Sequence, residues 1–187
     1  MKPIHLIPLG SPGGGNAGGA APGLDVLEHL AVALARIFRT PCRIRPETID
    51  LSFALDAARN QYYSTAIIQK LERAADPDAR VLGVTTCDLY VPVLTFVFGE
   101  AQLDGACAVV SSARLHEEFY GMPARGDLLR ERLVKEAAHE LGHTFGLRHC
   151  ADWRCVMTSS HAVERLDVKG AEFCGKCRKT VFESGYW

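Results

Sequence analysis

The chain has 187 residues, 48% of them apolar and 23% charged, which is enough to bury the core of one domain without a disulfide scaffold and far from a disordered composition. A formal net charge of -1 gives no global field to gather nucleic acid or anionic lipid, so neither is expected as a partner. No apolar run approaches the roughly 20 residues needed to span a bilayer, so no membrane association is expected.

The opening stretch, residues 1–10, has its apolar run broken by Pro3, His5 and Pro8, so it reads as a first buried strand and not as a secretion signal. The protein is therefore expected to be cytoplasmic. Residues 10–23 hold Gly10, Gly13, Gly14, Gly15, Gly18, Gly19 and Gly23, a loop composition that matches no phosphate-binding spacing. Leu24, Leu27, Leu30, Leu34, Ile37 and Phe38 recur at helical spacing, which predicts an amphipathic helix ended by Thr40-Pro41.

Residues 42–51 read as a strand with an internal proline, and residues 54–75 as a second helix with Leu55, Ala58, Tyr62, Ala66, Ile67 and Leu71 on one face. Three β-branched or aromatic runs, residues 81–86, 93–98 and 106–111, predict strands. A last long helix begins near Gly126, with Asp127 as its N-cap, and runs past Leu141. This order implies an α/β (α+β) domain in which a mixed sheet is covered by helices. A single domain is expected over residues 1–187, divided at a cleft into an upper lobe of about 1–146 and a lower lobe of about 147–187.

The last helix carries the chemistry. Residues 139–149 read His139-Glu140-Leu141-Gly142-His143-Thr144-Phe145-Gly146-Leu147-Arg148-His149. Positions four apart share a helix face, so His139 and His143 can address one ion with Glu140 beside it. Gly146 permits the left-handed turn that ends the helix and brings His149 back as a third ligand. Three imidazoles leave the fourth position of a zinc open to water, the arrangement of a catalytic site. Glu140 then stands where a general base is needed.

Seven cysteines in a chain read as cytosolic point to thiols or metal ligands. Cys42, Cys87 and Cys107 sit singly in apolar segments and read as small buried hydrophobes. Cys150 and Cys155 enclose four residues, and after eighteen more come Cys174 and Cys177 as a C-x-x-C pair. Two such pairs suit a closed, structural four-thiolate zinc, giving two Zn2+ per chain.

The extended H-E-x-x-H-x-x-G-x-x-H pattern, with Met157 following, resembles the metzincins, whose methionine packs beneath the metal ligands. With the adjoining Cys150, Cys155 and C-x-x-C, and with the segments 81–90 and 96–99, the chain resembles the archaemetzincins in particular. The resemblance implies a zincin-like sheet with an active-site helix, a small zinc-bearing C-terminal lobe, and hydrolysis of a peptide or protein substrate lying along an edge strand, expected at residues 93–98. It departs from some relatives in lacking a tyrosine two residues after Met157. Two other readings compete: a zinc-stabilised adaptor with an unproductive histidine site, and a metal-dependent ribonuclease of a three-histidine type. Glu140 and the near-neutral charge favour peptide hydrolysis.

Overall fold

The computed structural model describes residues 1–10 and 19–183; most of the glycine-rich loop expected at 10–23 lies outside the described residues. Strands β1 (Ile4–Gly10), β2 (Cys42–Ile44), β3 (Ile49–Asp50), β6 (Arg80–Thr85), β8 (Gly99–Ala101) and β9 (Cys107–Ser111) form one mixed sheet. Its order is β2-β1-β6-β9-β8, with β3 also paired to β1. All pairings are parallel except β8 on β9, so β8 is an antiparallel edge. A second, three-stranded sheet joins β4 (Leu55–Asp56), β5 (Gln61–Tyr63) and β7 (Leu89–Tyr90).

Central strands β1, β6 and β9 are buried along their whole length, as parallel strands covered on both faces must be. Their side chains alternate between two cores. Ile4, Leu6, Leu82, Val84, Ala108 and Val110 face helices α1 (Leu24–Phe38) and α3 (Gly126–Thr144), whereas Leu9, Val81, Cys107 and Val109 face α2 (Ser64–Ala74). Leu27, Leu30, Leu34, Ile37 and Phe38 form the buried stripe of α1, the face its periodicity predicted. Each fully buried leucine of this kind contributes about 1.5–3 kcal/mol. Phe38 stacks on Phe145 and meets Phe173 edge-on, both at 5.5 Å, joining α1 to the end of α3 and to the C-terminal segment.

Four expectations need correction. The helix expected over 54–75 starts only at Ser64. Before it, Asp56 Oδ1 accepts from the Ala58 and Arg59 amides and Asn60 takes φ 52°, so the chain makes a hairpin turn between β4 and β5. The strand expected over 42–51 is two short pieces, β2 and β3, interrupted around Pro46. Residues 93–98 form a loop and not the edge strand. Arg59 Nη2 donates to the carbonyls of Leu94 and Thr95 and Gln61 Nε2 donates to that of Thr95, so side chains take acceptors that a ladder would use; β8 is the edge instead. Finally, α3 begins at Gly126 with Arg125 as N-cap, and Asp127 lies in the first turn, where a carboxylate still suits the helix dipole.

After α3 the chain holds two short helices, α4 (Val163–Val168) and α5 (Gly175–Glu183). No described helix is long and apolar enough to cross a membrane.

Candidate metal centre and cleft

Helix α3 ends in a Schellman turn: the Gly146 amide donates to the His143 carbonyl at 2.9 Å and the Leu147 amide to that of Gly142 at 3.3 Å. Gly146 takes φ 77°, the left-handed conformation that this turn requires. Arg80, buried beneath the turn with its guanidinium over the Phe145 ring, donates to the Thr144 carbonyl at 2.6 Å and places a cation at the helix C-terminus.

The turn returns the chain so that His149 faces the two helical histidines. Ring centroids are 4.7 Å apart for His139 and His143, 5.3 Å for His139 and His149, and 5.2 Å for His143 and His149. One ligand atom from each lies within 4.8 Å of the others. The Nε2 atoms of His139 and His143 are 3.1 Å apart, close to the roughly 3.3–3.4 Å spanned by two Zn–N bonds of about 2.0–2.1 Å at a tetrahedral angle. His139 Nδ1 lies 2.9 Å from the Val156 carbonyl and His143 Nδ1 lies 2.7 Å from the Leu147 carbonyl. Those acceptors assign the proton to Nδ1 on both rings and leave the Nε2 lone pairs facing the common centre. Burial, reinforced by the charge of Lys169, holds His139 well below its ordinary pKa, and burial lowers His143 and His149 as well. These shifts favour the neutral imidazole, the form that binds metal.

Glu140 is buried beside them, and burial first, then the charge of Glu136, pushes its carboxyl well above the ordinary carboxylate range. It packs directly under the edge strand: a Cβ at Gly99 would lie 2.6 Å from Glu140 Cγ. Histidines and Glu140 open into a cleft of about 540 Å³, whose walls include Phe96, Phe98, Gly99 and Glu100 and also Arg148, Ser159, Ser160 and His161. Met157 is fully buried beneath the site, its thioether set against the bare Cα of Gly142 in α3.

The second group comprises Cys150, Cys155, Cys174 and Cys177, whose sulfurs lie within 4.8 Å of one another. None of the four is in a disulfide. Cys150 and Cys174 Sγ are 3.8 Å apart, too far for a disulfide bond of about 2.03–2.05 Å and equal to the roughly 3.8 Å between sulfurs on a tetrahedral ion with Zn–S bonds of about 2.3 Å. A backbone hydrogen bond from Cys177 leads the causes that lower the Cys174 thiol to about 7, whereas burial raises Cys155 and Cys177. Donor type and spacing in both groups fit zinc. Cys87 and Cys107 are buried, as expected of small hydrophobes, and Cys42 is partly so.

The profile of peptidase family M54 matches residues 27–182. The chain belongs to that family. Like the archaemetzincin of Methanocaldococcus jannaschii, to which it is 40% identical over 87% of its own length and 89% of that protein's, it is a member of the archaemetzincin group of zinc metallopeptidases. Among family structures it is similar to the archaemetzincin of Archaeoglobus fulgidus, solved with malonate (TM-score 0.78, 38% identity, 95% of this chain and 99% of that one). It is also similar to a zinc-dependent peptidase of Methanocorpusculum labreanum (TM-score 0.81, 33% identity, 95% and 99%).

Every site residue expected from sequence thus falls into one of two clusters or supports one. Others carried no motif. Glu136 precedes Glu140 by one helical turn, which its spacing could have revealed. Ser160 and His161 at the cleft, and Lys169 on Glu136, gave no local signal, because what brings them there is the path of the C-terminal segment.

Proposed function

We propose that His139, His143 and His149 hold a catalytic zinc, that Glu140 is the general base of peptide-bond hydrolysis, and that Cys150, Cys155, Cys174 and Cys177 hold a second, structural zinc. The observation that carries the reading is the convergence of three imidazoles with a buried carboxyl beside them in an open cleft. Zinc bound there supplies a polarised carbonyl and a water whose pKa falls from about 15.7 to near 7.

The chain's own groups do the rest. The carbonyls of Val156 and Leu147 hold two imidazoles in the orientation and tautomer that ligation needs. Glu140 takes a proton from the attacking water at its carboxylate and passes it to the leaving amine nitrogen. The charge of Lys169 favours the ionised carboxylate and so opposes the effect of burial. The substrate main chain lies along β8, which ends the sheet among the described residues and lines the cleft at Gly99 and Glu100. Residues 1–146 and 147–187 act as upper and lower lobes, and the cysteine site fixes the lower one immediately after His149.

Cleavage of a mixed peptide library tests the reading. Activity is expected to vanish on chelation, return with zinc, and be absent from His139→Ala, which keeps only the cysteine-bound ion. An equally active His139→Ala protein would sink it.

A further inference from the structure

One face of α3 carries Arg132, Lys135, Glu136 and His139 at three- and four-residue spacing, and all four meet the C-terminal segment. Arg132 forms a two-pronged pair with Asp167, 2.7 Å at each nitrogen. Lys135 Nζ donates to the carbonyls of Leu166 and Asp167 at 3.2 Å each. With the buried side chains of Val163 and Leu166, these contacts dock α4 on α3.

The remaining contact lies deeper. Lys169 Nζ donates to Glu136 Oε1 at 3.0 Å and to the Thr158 carbonyl at 3.2 Å. The two charged side chains are 1% and 5% exposed, so the pair is closed to water. Its ends matter. Glu136 lines the cleft one helical turn before Glu140, and Thr158 leads directly into Ser159, Ser160 and His161, which line the same cleft. One ammonium therefore ties the helix that bears Glu140 to the start of the 158–161 stretch of the cleft lining. An enclosed ion pair adds little net stability, because desolvation offsets most of its attraction. What it fixes is geometry.

We infer that Lys169 is a positioning residue for peptide hydrolysis: its bridge from Glu136 to the Thr158 carbonyl sets the 158–161 wall of the cleft against α3. The inference rests on the peptidase reading, since the wall is where a substrate is held relative to Glu140. It makes no use of Lys169 as a proton donor or ligand.

The test compares zinc-loaded wild type, Lys169→Met and the double variant Glu136→Gln/Lys169→Met. Metal content, thermal midpoint, amide hydrogen exchange over 158–161, and kcat and KM on a cleaved peptide are read for each. Lys169→Met should lower the midpoint, because it leaves the Glu136 carboxyl buried without a counter-charge, and the double variant should restore it. In both variants, exchange over 158–161 should rise about fivefold or more while that of α3 stays unchanged. In both, kcat should fall about tenfold or more with metal content unchanged. Recovery of kcat together with the midpoint in the double variant would reduce the pair to a stability role and overturn the inference. So would unchanged exchange over 158–161, or raised exchange with unchanged kcat. A wild type that cleaves no peptide refutes the peptidase reading, while the exchange data still decide whether the bridge orders the wall.

Discussion

Gly99 and Glu140 are in van der Waals contact across the join between the edge strand and the active-site helix: a Cβ on Gly99 would lie 2.6 Å from Glu140 Cγ and 2.9 Å from Cδ. The same Cβ would meet the Val109 carbonyl at 2.6 Å, so neither strand nor helix offers it room. Edge strand and carboxyl are fitted to each other through the absence of a side chain.

Gly99→Ala is therefore expected to displace the Glu140 carboxylate. Overpacking of this kind costs roughly 1–3 kcal/mol of stability. Turnover should fall more than folding does, with zinc content kept. Steady-state kinetics on metal-quantified protein check it, and a fully active Gly99→Ala enzyme would mean that the carboxylate has slack the structure does not show.

Met157 gives a stability prediction. It has no exposed surface and lies between Gly142 of α3 and the C-terminal segment, so Met157→Ala opens a cavity directly under the histidines. Large-to-small changes at such sites cost about 2–5 kcal/mol, whereas the volume-conserving Met157→Leu should cost less than about 1.5 kcal/mol. Denaturant unfolding of the two variants gives the comparison. Equal stabilities would show that the site collapses around the missing side chain.

The cysteine group predicts a metal count. Its donors and those of the histidine group are disjoint sets, so elemental analysis should find two zinc ions per chain, falling to one in Cys174→Ser. Structural metal binding is folding free energy. The same variant should thus melt earlier, and it should bind the histidine-site zinc more weakly because Cys150 directly follows His149. One zinc in fully loaded wild type would remove the four-thiolate assignment.

How far the sequence reached depends on how local each signal is. Two histidines and a glutamate on one helical turn, a glycine at the left-handed position, and two cysteine pairs are fixed by short spacing, and each is where that spacing puts it. Helix α1 was equally legible because one unbroken amphipathic stripe covers it. Residues 54–75 misled because Leu55, Ala58 and Tyr62 fall in phase with α2 by chance, although Asp56 and Asn60 bend the chain there. Residues 93–98 are apolar enough for a strand, yet Arg59 and Gln61, more than thirty positions earlier, claim their carbonyls. The Glu136–Lys169 pair lies 33 residues apart and appears only once the C-terminal segment has folded over α3. Long-range polar contacts leave no period in a sequence.

In the proposed mechanism Glu140 moves the proton and does not hold the metal. Glu140→Gln keeps the size and helix propensity of the side chain and leaves three imidazoles in place. Turnover and zinc content measured on the same preparation of this variant test the claim most directly. Loss of general-base catalysis predicts a fall in kcat of about 10²–10⁴-fold with zinc unchanged. Peptide cleavage at the wild-type rate by zinc-loaded Glu140→Gln would contradict it.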